Sequence, residues 1–313
     1  MIGTIVTSDH QIYQLPVLLA WSLTYTGGVP CDCFSVTCLY SADMDQVLHT
    51  AVSFTAIQQG TVMLRGIVDE YQVRQDAGGR MVTIAGRGYA ARLLDNESRP
   101  MTYPAATLSE IIRNHVTPYG ISCESTANLR ASSVYTVASG SSQWSALEGF
   151  CSTYGGFSPR FSREGGLIAV KETGGKTFRI DDTTSLLSCS KRENHYGVLS
   201  EVLVIDKTRN VSYSVKNTDF FNRGGQCRRV LYTPGQSTWA AMRYTGEYQI
   251  RKSKADEITL ELLLPGLAEV QPGDTVQLSR TDCGWSGTFR AAEISYAFSA
   301  GGETTALSLK ARN

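Results

Sequence analysis

Short alternations of apolar and polar residues fill the first third of the chain. Gln11 to Tyr25 and Cys31 to Tyr40 repeat with a period of two, separated by the turn-rich break Gly27-Gly28-Val29-Pro30. Thr61 to Val73 and Met81 to Gly86 form another pair of β-rich runs around Asp76-Ala77-Gly78-Gly79, the pattern of a hairpin. A short helix is predicted from Tyr89 to Asp95, with Leu93 and Leu94 facing inward.

The middle third changes period. Thr107-Leu108-Ser109-Glu110 is a capping box, and Leu108, Ile111, Ile112 and His115 then follow helical spacing until Pro118-Tyr119-Gly120 ends the run. A second helix carries the stripe Trp144, Leu147, Cys151 and Tyr154; Ser141 or Ser142 caps it, and Gly155-Gly156 closes it. Phe157 to Phe161 and Leu167 to Lys171 flank Glu164-Gly165-Gly166 as a further hairpin.

The last third returns to strands. Val198 to Lys207 alternates, with Val211 to Val215 as its partner across Thr208-Arg209-Asn210. A helix is predicted from Trp239 to about Lys254, against which Gly246 counts. Glu257 to Leu264, Thr275 to Ser279, Phe289 to Phe298 and Thr304 to Lys310 read as strands, with turns at Pro265-Gly266, Pro272-Gly273-Asp274 and Gly301-Gly302. This ending echoes the first third: a run with a central acid (Glu70; Glu293), a Gly-Gly turn, and a second run ending in a base (Arg87; Lys310). Either a structural duplication or a coincidence of hairpins produces that echo.

The 313 residues suffice for two or three domains. The readings above divide them into a β domain over 1–98, an α+β domain over 99–187 and a second β domain over 188–313. Net charge is zero overall, and −4, +1 and +3 over those three segments. A neutral chain does not suit general nucleic-acid binding, whereas the asymmetry suits an acidic domain meeting a basic one in an assembly. The eight cysteines are scattered without a repeating spacing, as buried reduced thiols are. The start reads as neither signal peptide nor anchor, and no run of apolar residues is long enough for a membrane span, so folding in a cytoplasm is expected.

Constellations for chemistry are sparse. His10, His49, His115 and His195 form no HxxxH or HExxH pair. Cys31-x-Cys33 with Cys38 departs from zinc-knuckle spacing. Gly174-Gly175-Lys176-Thr177 resembles the end of a phosphate loop but has Val170 where the leading glycine belongs. Ser188-x-x-Lys191 has the spacing of a Ser/Lys nucleophile pair without its companion motifs. Asp181-Asp182 and Asp256-Glu257 are candidate paired carboxylates that read more simply as solvated turns. Neither a catalytic residue nor a metal or other cofactor is expected. Arg223, Arg228 and Arg229, with Arg251, Lys252 and Lys254, form basic patches suited to a solvated face or to contact with an acidic neighbour or channel wall.

Gly66-Ile67-Val68, Met81 to Arg87 (MVTIAGR) and Leu93-Leu94-Asp95 together resemble the N-terminal domain of phage baseplate hub proteins of the late-control D family, especially hubs of PBSX-type prophage tails. Asn96-Glu97-Ser98, Thr107 to Ile112, Pro118 to Ile121 and the Trp144 helix resemble its middle region, and Val270 to Val276 with the last hairpin its closing domain. The family-motif residues are Gly66, Gly86, Arg87, Leu94 and Asp95, as structural positions.

This resemblance implies a mainly β fold in which two tail-tube-like β-barrel or sandwich domains flank an α+β domain. It implies a homotrimeric, non-enzymatic ring with six near-equivalent positions, joining a hexameric tail tube to a trimeric central spike around an axial channel through which DNA passes. Tube, spike and other baseplate proteins are the implied partners, and the baseplate of a virion or tail-like particle the implied location. A chain stopping at Asn313 fits a contractile system better than the tail-tip hub of a non-contractile tail. The alternative from another class is an all-β cell-wall-degrading enzyme.

Overall fold

The computed structural model describes residues 1–27, 32–131, 134–171, 175–206, 208–233, 239–255, 257–283 and 285–311. Gly28-Val29-Pro30, Cys31, Gly174, Lys207 and Asp256, which the sequence singled out, lie outside the described residues. The architecture is mainly β with minor α. Two units interleave along the chain: unit 1 takes Met1–Thr177, Leu264–Asp274 and Ala291–Ala306, and unit 2 takes Phe178–Leu263, Thr275–Arg290 and the residues from Leu307 on.

Unit 1 begins with β1 (Ile2–Thr7), β2 (Ile12–Gln14), β3 (Leu18–Thr26) and β4 (Cys33–Leu39), then helix α1 (Met44–His49), β5 (Ala51–Gln58), β6 (Thr61–Asp76) and β7 (Gly79–Gly88). These strands pair antiparallel in the order β3-β4-β7-β6-β5-β1-β2. The two-residue period explains the core: Leu23 on β3, Phe34 and Val36 on β4 and Val82 and Ile84 on β7 are all buried. The Phe34 and Phe54 rings stack at 4.3 Å. Helix α1 was not foreseen; its six residues bury only Met44 and Leu48, too short a stretch to show a helical period.

Next in unit 1 come α2 (Ala91–Leu94), β8 (Met101–Tyr103), α3 (Leu108–His115), β9 (Cys123–Thr126), β10 (Tyr135–Val137), α4 (Gln143–Phe150), β11 (Arg160–Phe161) and β12 (Leu167–Ala169). The capping box forms as the sequence predicts. Thr107 Oγ1 accepts from Glu110 N at 3.3 Å, and Thr107 N donates to Glu110 Oε2 at 2.8 Å. Ser142 is the cap of α4, and a π turn over Cys151–Gly155 ends at Gly156 in the left-handed region. Leu108, Ile111, Trp144, Leu147, Phe150 and Cys151 form one buried cluster. The predicted Phe157–Lys171 hairpin forms with shorter strands, β11 and β12, and β12 also pairs parallel with β9.

Unit 2 contains most of β13 (Thr177–Asp181), then β14 (Ser188–Glu193), β15 (Glu201–Asp206), β16 (Val211–Lys216), α5 (Thr218–Asn222), β17 (Arg228–Thr233) and α6 (Trp239–Lys254). β15 pairs antiparallel with β16 and parallel with β17, and α6 packs Met242 and Ile250 against Val202 and Val204. Gly246 suits this helix after all: a Cβ there would meet Val215 Cγ2 at 2.5 Å, so glycine permits the close approach to β16. β18 (Ile258–Pro265), β19 (Thr275–Ser279), β20 (Ser286–Ser299) and β21 (Gly302–Ala311) complete the chain. β13, β14, α5 and β17 were not foreseen. Apart from the half-buried Cys189, β14 is polar and exposed, so no alternation marks it.

The echo between the ends of the chain is a repeated topology. β1, β3, β4, β5, β6 and β7 pair as β1-β5-β6-β7-β4-β3, and β13, β14, β18, β19, β20 and β21 pair as β13-β19-β20-β21-β18-β14. Numbered in chain order, both sets follow 1-4-5-6-3-2. Each contains one long hairpin turned by a Gly-Gly pair whose second glycine, Gly79 or Gly302, has positive φ. Glu293, Gly302 and Lys310 each stand 223 residues after Glu70, Gly79 and Arg87. The second set alone carries an insertion between its second and third strands, the module β15–α6. β20 also pairs Glu293–Phe298 with Thr26–Trp21 of β3.

Candidate functional site

The family-motif residues converge where β6 crosses β7. The register slips between Val68 and Glu70, and the two backbones come close on either side. A Cβ on Gly66 would lie 2.3 Å from Arg87 O, and one on Gly86 would lie 1.9 Å from Ile67 O and 2.8 Å from the Phe34 ring. No other residue fits at either position without moving backbone. Arg87 then reaches along the bulge: its Nε donates to Asp69 Oδ2 at 2.7 Å and its Nη2 to Asp95 Oδ2 at 2.7 Å. Second bonds of 3.0 Å to each carboxylate complete a doubly bidentate arrangement.

Asp69, which the sequence reading missed, therefore shares the guanidinium with Asp95. Asp69 first and Asp95 second hold the Arg87 pKa above its ordinary value, and Arg87 holds the Asp95 carboxyl below its own. Leu94 is half-buried against the α3–α4 cluster. This group ties β6, β7 and α2 together. With its donors committed to two carboxylates, the guanidinium is a structural clamp.

The basic residues of the last third are spread over three elements. Arg223, at the C-terminal end of α5, bonds Glu257 and lies 3.7 Å from Glu193. On β17, Arg228 Nε donates to Glu201 Oε2 at 2.7 Å and Arg229 Nη1 to Gln249 Oε1 at 3.2 Å. Arg251, Lys252 and Lys254 occupy the last turn of α6, where cations complement the helix dipole. Arg223 and Arg228 thus already have carboxylate partners within unit 2, which sequence spacing alone does not reveal.

The other candidates resolve individually. Ser188 and Lys191 stand three apart on β14, so their side chains point to opposite faces, and Lys191 Nζ bonds Glu193 at 3.3 Å. Asp181 accepts from the Thr183 backbone and hydroxyl and closes a turn, whereas Asp182 accepts from Thr281 N at 2.8 Å, a contact 99 residues away in sequence. His115 is buried on the same face of α3 as Leu108, Ile111 and Ile112. Its Nδ1 contacts Gln143 Oε1 at 2.7 Å and its Nε2 contacts Tyr103 Oη at 3.0 Å, while burial pushes its pKa down. Among the described residues no group of three His, Cys, Asp or Glu is placed to hold a metal, and no helix is long and apolar enough to cross a membrane.

A cavity of about 540 Å³ in unit 1 is lined in part by Tyr25, Asp32, Glu124, Arg160 and Arg163. Arg163 lies over the Tyr25 and Tyr296 rings, with ring centroids 5.1 and 5.6 Å away. Burial pushes the Asp32 carboxyl up to about 6, opposed by the Thr26 backbone N–H and by Arg163. More than a hundred residues separate Asp32 from Arg163, so no local motif foretold that they would line one cavity.

Two of the open strand edges lie on β6 and β14. Beyond Ile67, where its pairing with β5 ends, β6 continues to Asp76 against β7 alone. Among the described residues β14 pairs with β18 alone. Both are exposed for most of their length.

No family model and no curated protein matches the sequence. Solved structures do. The prophage MuSo2 43 kDa tail protein from Shewanella oneidensis is similar with a TM-score of 0.81 at 14% identity, covering 99% of this chain and 98% of that one. The tail protein from Neisseria meningitidis MC58 gives 0.75 at 16%, covering 99% and 96%. The E. coli c3393 protein, a type VI secretion component with structural similarity to the T4 tail proteins gp27 and gp5, gives 0.56 at 8%, covering 95% and 74%. The chain has the fold of phage tail proteins.

Proposed function

We propose that this chain is the structural hub of a contractile, tail-like baseplate. Three copies form a ring of six near-equivalent β positions, which seats a hexameric tail tube on one face and a trimeric spike on the other. The ring leaves an axial channel for DNA. The observation that supports this reading is the 1-4-5-6-3-2 strand pairing occurring twice in one chain. A chain with two equivalent strand sets lets a threefold assembly match a sixfold one. The similarity to tail proteins over nearly the full chain supports the same assignment. The role is mechanical and uses no catalytic residue or cofactor; assembly takes place in a bacterial cytoplasm and ends in the baseplate.

Light scattering on the purified chain, followed by electron microscopy of its mixture with tube protein, tests the reading. The expected result is a trimer that caps tube ends with threefold symmetry. Six copies or one at the axis would overturn it, and turnover of isolated cell wall by the chain would select the enzyme alternative.

A further inference from the structure

We infer that copies of this chain join head to tail by antiparallel pairing of residues 70–76 of β6 on one copy with β14 on the next. The inference deepens the proposed ring by naming its seam, and the chain supplies the template. In the repeated topology β20 corresponds to β6, and β3 to β14. The N-terminal part of β20 pairs with β19 through Ser286–Arg290. Its C-terminal part, Glu293–Phe298, pairs with Thr26–Trp21 of β3 along the same edge, because the other edge belongs to β21.

The first set has the same parts with the last one missing. The N-terminal part of β6 pairs with β5 as far as Ile67, and residues 70–76 run against β7 with the opposite edge open. The 223-residue offset aligns those residues with 293–299, the stretch of β20 that receives β3. The strand equivalent to β3 is β14, whose outer edge is also open. Each copy therefore presents one acceptor edge and one donor edge whose topological counterparts, β20 and β3, pair within the same molecule.

The chemistry of the two edges agrees. Open edges are ordinarily blunted by proline, by shortness or by charge; neither 70–76 nor 188–193 contains a proline, and the charges they do carry are of opposite net sign. The β6 segment holds Glu70, Arg74 and Asp76, and the β14 segment holds Lys191, Arg192 and Glu193, so net −1 meets net +1. Six paired residues supply about six backbone hydrogen bonds. Because donor and acceptor edges differ, the contact is heterologous and closes into a ring only at the correct rotation.

The test uses the full-length chain. Sedimentation is expected to show trimers for the wild type and, for K191E/R192E, monomers that still unfold cooperatively with wild-type far-UV circular dichroism. Adding E70K/Q72K to that variant restores trimers. In the wild-type assembly, amide exchange slows at 70–76 and 188–193 relative to the monomeric variant. The inference is overturned if K191E/R192E assembles normally, if the wild type stays monomeric at high concentration, or if protection appears elsewhere. A trimer with protection elsewhere sinks the seam and leaves the hub reading standing. Protection at both strands in an open filament does the reverse.

Discussion

At the scale of single residues, space and protonation decide most. Gly86 is enclosed on one side by Ile67 O and on the other by Phe34, so Gly86→Ala should cost about 3 kcal/mol or more, read as a shift in urea midpoint. Gly301, whose added Cβ would meet only Ser299 Oγ at 3.7 Å, is the control; Gly301→Ala should stay within about 0.5 kcal/mol. His115 gives a pH signature. Gln143 Nε2 donates to Glu97 O and Tyr119 Oη, which turns Gln143 Oε1 toward His115 and fixes its proton on Nδ1. Burial favours this neutral ring, so the folded pKa lies below the unfolded one and the unfolded chain takes up the proton first. Stability should therefore fall as pH drops below about 6.5, by at most about 1.4 kcal/mol per pH unit. Chemical denaturation across that range should show a flatter profile for His115→Gln.

At the scale of elements, the sequence was legible wherever one local interaction dominates. The capping box appears as a tetrapeptide because its two hydrogen bonds close within three residues. Thr107→Ala should accordingly cost about 1 kcal/mol in denaturant unfolding. The long hairpins were equally plain, since buried alternation and a Gly-Gly turn coincide. Most of what escaped notice lacks such a signal; β13 (TFRID) alternates but is only five residues long. β14 is polar because it borders solvent, β17 depends on a parallel neighbour, and α1 and α5 are shorter than two helical turns. The Arg87 clamp was half legible: Arg87 and Asp95 were named, but Asp69 joins them only through a bulge that sequence does not announce. The basic residues were found without their partners, because Glu201 and Glu257 reach Arg228 and Arg223 through tertiary contacts.

At the scale of the molecule, the two strand sets share a pairing order while their surroundings differ. The glycine turns and the 223-residue offset were readable as an echo, but a shared topology needs six strands each, and one of the second six, β14, carries no alternation of its own. The β15–α6 module belongs to the second set alone. In the proposed trimer this makes the count a visitor reads depend on what it grips. A partner that recognises the strands common to both sets meets them six times per turn, and one that recognises the inserted module meets it three times. A single insertion thus lets one collar present two periodicities to two neighbours, each finding the multiplicity that matches its own.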